Sequence, residues 1–469
     1  MQKAMLTPQV TNMQIIYDLL ARHKREYISR SREFFGLTAP IFLEQTFVVM
    51  LGIVTTIMVS SISGYALSAV SMVDSVVHLV SAFFAALTVG ATIVVAQYTG
   101  RGDHGKISGV AAQAILLAIF FGVIFCALLA AFRIQIIDLL FGHAEYAVIL
   151  DARLFLGIIA FSFPAIAVMM TAFGVLRGTG NTGAPMVITI AINIVNVVLG
   201  LILIRSFGLV GAAVALLVSR YIGAILGIGY ILKFSKTIKF TGLAVFRSDF
   251  GVQKLILSFG IPTSIESGTF QMGKLLITVF IAGMGTAAIA ANAIVNSIVG
   301  ILTAPGMAFS TGAVILVGQR VGRGDMDDVR KTTYFSVIAA MLVLAVICIF
   351  TFIFMNPIIS LYYTTEEMLV ILRPVLITLF IATPLGWAVS FVTPGALRAT
   401  GDVKYTMVVA VASMILVRVA FAYILGVHFG LGILGIWFSM YADWVVRGVF
   451  FMNRVINGKW QGKGVAKDA

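Results

Sequence analysis

The sequence predicts an all-α membrane protein: twelve transmembrane helices in two six-helix repeats, related by a pseudo-two-fold axis along the membrane normal. Three observations predict it. The chain is duplicated: GATIVVAQYTGRGD at 90–103 returns as GAVILVGQRVGRGD at 312–325, nine of fourteen positions identical, at an offset of 222 (312 − 90). The composition is 60% hydrophobic and only 11% charged, with mean hydropathy +1.06; soluble domains carry about 25% charged residues. Lys and Arg collect on one side of the predicted spans.

The duplication holds across most of each half. Pro40 and Glu44 return as Pro262 and Glu266, and Asp74-Ser75 as Asn296-Ser297; GVLRGTGN at 174–181 returns as GALRATGD at 395–402, offset 221 (395 − 174). Such a period is too long for a solenoid unit and fits a duplicated helix bundle of the kind secondary transporters use.

A span needs about 20 mostly apolar residues. Twelve are expected, at 37–60, 66–97, 107–132, 151–175, 182–204, 208–232, 254–283, 288–318, 331–355, 370–396, 403–426 and 430–452. With the N-terminus inside, 25 of the 32 Lys and Arg fall on inner segments. Only Arg133, Arg153, Arg205 and Arg373 fall outside, and Arg220, Lys274 and Arg418 lie within spans. This asymmetry places both termini in the cytoplasm. It also accounts for the +13 net charge without a nucleic-acid partner.

Domain organisation follows. Residues 1–36 form a cytoplasmic amphipathic segment, with Ile15, Ile16, Leu19 and Leu20 at helical spacing before Arg22, Lys24 and Arg25; no cleavable signal peptide is expected. Residues 37–232 form an N-lobe, 233–253 a basic linker, 254–455 a C-lobe and 456–469 a basic tail. Six spans per half start both halves on the same side, making the repeats parallel rather than inverted. Cys126 and Cys348 lie in apolar runs, again 222 apart, and read as packing residues.

Several pieces together resemble the multidrug and toxic compound extrusion (MATE) transporters. They are Pro40 with an acidic residue in the first span, G-A-x-x-x-V-x-Q-x-x-G-x-G-D after the second and eighth, and L-R-G-T-G-N after the fourth. Gly435-Ile436-Trp437 through Asp443-Trp444 and Arg447 look like the bacterial branch. The resemblance covers roughly 37–455. It implies a V-shaped pair of lobes around a central cavity, and export of organic cations in exchange for Na+ or H+, with no further cofactor, from a monomer in a bacterial inner membrane. One departure stands out. Where many members carry acids in the first and fifth spans, this chain has Thr55 and a position near Gly200, although Asn196 matches the preceding Asn.

Ionisable residues within spans are expensive and default to functional candidates. Glu44 and Glu266 come first as ion-coupling and substrate groups, each one turn after a Pro that frees carbonyls near the carboxylate. Such a site can coordinate a hard cation, carry a proton or offer negative charge to a cationic drug. Asp74 is the third candidate, with His78 one turn on as a charge partner. Lys274, two turns past Glu266, is expected either to gate the outer side by pairing with Asp74 in the inward-facing state or to pair within its own lobe. Asp443 and Arg447 read as an i, i+4 ion pair, Arg418 as a brace for the eleventh helix and Arg220 as structural. Phe270, Gln271, Phe280, Asn296 and Met307 are candidate cavity linings, alongside Met272 and Phe309. The Gly-Arg-Gly-Asp loops at 100–103 and 322–325 read as hinges at the inner face. No HExxH, Cys/His or phosphate-loop pattern occurs, so an enzyme and a metal site are not expected. Two rival readings are a lipid-linked oligosaccharide flippase, disfavoured because the central groups read as acidic, and a channel or non-transporting scaffold.

Overall fold

The computed structural model describes residues 8–240, 247–362 and 364–465, with side chains from Tyr27 onward. Every regular element among the described residues is helical. In chain order the helices are α1 (Pro8–Ser60), α2 (Gly64–Arg101), α3 (His104–Ala131), α4 (Arg133–Phe141), α5 (Tyr146–Ile159), α6 (Phe163–Gly178), α7 (Gly183–Phe234), α8 (Phe250–Ala282), α9 (Thr286–Arg323), α10 (Met326–Ile353), α11 (Met355–Ile359), α12 (Glu366–Ala382), α13 (Ala388–Ala399), α14 (Val403–Ser413) and α15 (Gly432–Ile456). One turn of tighter helix joins α5 to α6, and π-turns join α12 to α13 and extend α14 to His428.

Ten of the described helical segments are long and apolar enough to cross a membrane. One of them, the 52-residue α7, holds two expected spans. Gly208 breaks it with φ 53 and ψ −129, a backbone conformation that glycine reaches without strain. Asn196 then donates to Ser219 at 3.1 Å, twelve residues before the corner meeting eleven after it, so the two halves run back to back. Helix α8, which carries Lys254, Glu266 and Lys274, supplies the remaining crossing.

The Gly-Arg-Gly-Asp copies do what their residue types allow. Gly102 and Gly324 close α2 and α9 at positive φ, 75° and 79°. Asp103 and Asp325 accept from Lys106 N and Asp328 N, capping α3 and α10.

The two lobes share one core on the Lys/Arg-rich face, which the charge rule makes the inner face. Val94, Val95, Ile107 and Val175 of the N-lobe lie in a single cluster with Val317, Val321, Leu397 and Phe451 of the C-lobe. Toward the other face the cores separate, one drawn from N-lobe residues such as Val73, Phe84 and Phe155. The other comes from C-lobe residues such as Ile298, Leu376 and Trp444. The lobes are therefore joined at the Lys/Arg-rich face and parted toward the opposite one.

Helix α1 connects the lobes. Its backbone is one helix from Pro8, so no break separates the expected amphipathic segment from the first span; the side chains of Ile15 to Arg25 lie outside the described residues. From Tyr27 to Ile41 it packs on the C-lobe: Phe34 against Phe309 and Phe335, Ile41 with Ala308 and Ile315. Glu33 meets Arg320 at 2.6 Å, and Arg30 meets Asp328 at 2.8 Å. From Glu44 onward α1 packs on the N-lobe, with Asn193 donating to the Phe47 carbonyl at 2.8 Å. The tail turns under the seam: Trp460 is buried, Lys463 pairs with Asp402 at 2.5 Å, and Val465 N donates to Gln97 at 2.8 Å.

Candidate functional site

In the N-lobe three helices converge on Glu44. It is 4% exposed. Arg177, in the last turn of α6, places Nη2 2.5 Å from its Oε1, and Thr189 of α7 donates to the same oxygen at 3.5 Å. Oε2 is buried and has no donor. A carboxylate this deep requires such a partner, because an uncompensated buried charge is strongly unfavourable.

The C-lobe repeats the arrangement. Arg398, the copy of Arg177, donates from Nη1 to Glu266 Oε2 at 3.3 Å, and Arg447 lies 3.8 Å from the other oxygen. Here the pair widens into a network. Arg447 and Arg418 each stand 3.8 Å from Asp443 Oδ2, and Ser413 donates to Oδ1 at 2.6 Å. Asp443 is fully buried. Arg447 lies over the Phe391 ring at 4.9 Å and Arg418 over Phe270 at 5.1 Å, distances at which a ring face attracts a cation. With Lys274 nearby, four cations face two carboxylates. The N-lobe equivalents of Arg418, Asp443 and Arg447 at the 222 offset are Asn196, Tyr221 and Ile225, so the lobes share a Glu–Arg pair but not a charge balance.

The structure revises several expectations. Glu44 and Glu266 were expected as ion-coupling and substrate groups, with no arginine partner named for either; in this conformation each meets an arginine. Arg177, Arg398 and Arg447 were counted as inner-face charges and instead point into the lobes. The central groups, read as acidic, are predominantly cationic in the C-lobe. Asp443 and Arg447 lie 3.8 Å apart at i, i+4, as their spacing predicts, and Arg418 stands 3.8 Å from the same oxygen. Asp74 interacts electrostatically with His78 and Arg220; Arg220 also donates to Ser162 at 2.7 Å, and His78 is exposed. Among the described residues Lys274 has no carboxylate partner, in either lobe. The lobes meet at the Lys/Arg-rich face, so this is not the state in which the Asp74–Lys274 gate is expected to form. Phe270 packs edge-on against Phe391 at 6.2 Å and Phe280 against Tyr423 at 5.8 Å. Gln271 is half-buried, and Asn296 and Met307 are exposed.

Sequence reasoning missed one pair of residues that the repeat marks plainly. Gln97 and Gln319, 222 apart in the duplicated motif, each cross the seam. Gln97 Nε2 donates to the Ala399 carbonyl at 2.8 Å, and Gln319 Nε2 to the Gly178 carbonyl at 3.2 Å. Those acceptors directly follow Arg398 and Arg177. The close approach needs Gly100 and Gly322: a Cβ on Gly100 would collide with the Gln319 carbonyl, and one on Gly322 with that of Gln97.

Comparison with known proteins agrees with this duplicated architecture. The MatE family profile matches residues 40–202 and 262–424, two segments offset by 222 (262 − 40). The chain is 28% identical over 452 residues to a probable multidrug resistance protein NorM of Thermotoga maritima, covering 94% of this chain and 96% of the relative. It is 28% identical over 438 residues to the uncharacterized transporter YisQ of Bacillus subtilis, covering 92% and 95%. A solved structure described as the outward-facing conformation of a multidrug resistance MATE family transporter of the MOP superfamily superposes with a TM-score of 0.84 at 20% identity, over 92% of this chain and 97% of that one. With the family profile matched in both halves and the twelve-helix frame in place, the chain belongs to the MatE family of multi-pass membrane transporters, which are not enzymes.

Proposed function

We propose that this protein is a secondary active multidrug efflux antiporter of a bacterial inner membrane, exporting organic cations in exchange for entering Na+ or H+. One observation carries the reading. In each lobe the glutamate after the Pro holds the arginine of the L-R-x-T-G loop, and the next residue's carbonyl is gripped by the glutamine of the opposite lobe. The ion site and the inner seam are thus one residue apart. A proton on Glu44 removes the charge that fixes Arg177, and Na+ at the undonated Oε2 competes with Arg177 for that charge. The main chain at Gly178 then loosens, Gln319 loses its acceptor geometry, and the seam can part. Glu44 also sits where α1 passes from the C-lobe to the N-lobe, so a change there bears on the helix that ties the lobes together. Such a two-state element, biased by an ion on one side and cargo on the other, is what exchange requires.

The test is dye efflux in inverted vesicles driven separately by a Na+ gradient and a pH gradient. One gradient should drive efflux in wild type, and Glu44→Gln should abolish the response while the protein remains in the membrane. Efflux independent of both gradients would overturn the antiport reading.

A further inference from the structure

The N-lobe holds a basic cavity on the inner face that neither the Glu–Arg pairs nor the seam uses. It lies where α7 ends and where α3 and α8 begin, and encloses about 500 Å3, within the range of about 300–1,000 Å3 of small-ligand sites. Lys236 and Lys239 line it from the chain after α7, and Arg247 from the chain before α8. Among the described residues none of these three side chains has a hydrogen-bond or ion-pair partner. Asp249 is the one carboxylate among the described lining residues, and its Oδ1 caps α8, accepting from Gly251 N at 2.9 Å and Val252 N at 3.2 Å. Gly105 and Gly109, one turn apart at the start of α3, leave that wall bare; a Cβ on Gly109 would meet nothing.

Buried polar side chains hold these cations in place. Gln113 is 2% exposed and uses its whole amide on the linker: Nε2 donates to the Arg247 carbonyl at 2.8 Å, and Oε1 accepts from Asp249 N at 3.0 Å and Gln253 Nε2 at 2.9 Å. Ser108, also buried, accepts from Lys239 N at 2.9 Å. The C-lobe copy differs in charge. At the 222 offset His104, Gly105, Lys106 and Gln113 correspond to Met326, Asp327, Asp328 and Phe335. There Asp328 meets Arg30 at 2.8 Å and Arg320 at 3.0 Å, so the protein supplies its own anion. The N-lobe has a lysine at that place.

We propose that this cavity binds a phosphate group at the inner membrane surface, carried either by the headgroup of an anionic phospholipid or by a soluble phosphate. A phosphate offers several acceptor oxygens, which suits one guanidinium fork and two ammonium groups together. The Thr237 hydroxyl lines the same space, and the N-terminus of α3 turns its positive end toward an anion. Three span ends meet here, at the level of the headgroups, where basic pockets between spans take anionic lipids.

The test uses the full-length protein, immobilised in neutral detergent and equilibrated with equal amounts of phosphatidylglycerol and phosphatidylcholine; the retained lipids are then quantified. Wild type should retain phosphatidylglycerol over phosphatidylcholine by about fivefold, the effect of one well-placed cation near an anionic lipid. The triple variant Lys236→Gln, Lys239→Gln, Arg247→Gln should retain the two equally. Arg323→Gln, Lys404→Gln, Lys459→Gln removes the same charge from the inner face of the C-lobe and should keep the preference. All six side chains are exposed, so both variants should fold. Equilibrium binding of radiolabelled inorganic phosphate, at constant chloride, separates the sources. A lipid preference without phosphate binding assigns the headgroup, and phosphate binding that the first triple variant alone abolishes assigns the soluble group. The proposal is overturned if wild type shows neither, if the first triple variant keeps what wild type shows, or if both triple variants lose it equally, which is the mark of diffuse surface charge.

Discussion

Gln319 donates to the carbonyl of Gly178 across the inner seam at 3.2 Å, and Gly178 is the neighbour of the arginine that holds Glu44. The mirror-related contact joins Gln97 to Ala399 at 2.8 Å beside Arg398. Symmetric cross-seam contacts thus stand next to symmetric Glu–Arg ion pairs.

Loss of these latches should favour the inward-open state. A single hydrogen bond contributes about 0.5–1.5 kcal/mol, so Gln97→Ala with Gln319→Ala should raise the inward-open population by roughly tenfold, since each 1.4 kcal/mol is a factor of ten. Gly100→Ala should act more strongly, because its new methyl cannot coexist with the Gln319 carbonyl. Spin-label distances between the C-terminal ends of α2 and α9 will read the shift; unchanged distances in both variants would rule out a latch.

The Glu44–Arg177 pair should show strong non-additivity. Removing one partner leaves an uncompensated buried charge, a loss of about 3–5 kcal/mol. Arg177→Met and Glu44→Gln should therefore each lower the melting temperature in detergent, and the double variant should recover part of the loss without recovering transport. Additive destabilisation would show that the two side chains do not stabilise one another.

The Asp74–Lys274 gate is a prediction about the other state. In this conformation Asp74 interacts electrostatically with His78 and Arg220 of its own lobe. When the outer side closes, Asp74 and Lys274 should meet, and the exchange Asp74→Lys with Lys274→Asp should restore part of the efflux that either single change removes. A double-mutant cycle in a drug-resistance assay decides it; strictly additive losses would end the gate proposal.

Topology follows from the charge split. Cysteines placed at Lys3 and Lys467 should react only with reagents that reach the cytoplasm. Labelling of either from outside intact cells would reverse the orientation, and with it the assignment of the latched face as the inner one.

Much of the frame was legible because apolar runs of span length, broken by charged loops, leave few alternatives. Even the corner at Gly208 showed as a gap between two runs. The 222-residue repeat exposed Glu44 and Glu266 for the same reason, since a duplicated acid in a span stands out against its surroundings. Their partners were hidden by two effects. Arg177 lies 133 positions from Glu44, and Arg398 lies 132 from Glu266. Both also sit at span ends, where charge counting treats any arginine as a solvated inner-face group. Arg447 was expected beside Asp443, but its approach to Glu266 was hidden by the 181 positions (447 − 266) between them. Gln97 and Gln319 are uncharged and drew no attention, yet their motif repeats in step with the arginines' motif. Reading the two repeats as a contact pattern, rather than two separate hinges, would have found them.

The central claim is that cargo exit and ion entry are one process governed at Glu44. Substrate-driven ion movement in proteoliposomes tests it most directly: a transported dye is added with no ion gradient imposed, and internal pH and Na+ are followed. The account predicts that dye transport by wild type moves H+ or Na+ in the opposite direction, and that Glu44→Gln moves neither. Dye transport without counter-movement of either ion, or full coupling retained in Glu44→Gln, would contradict it.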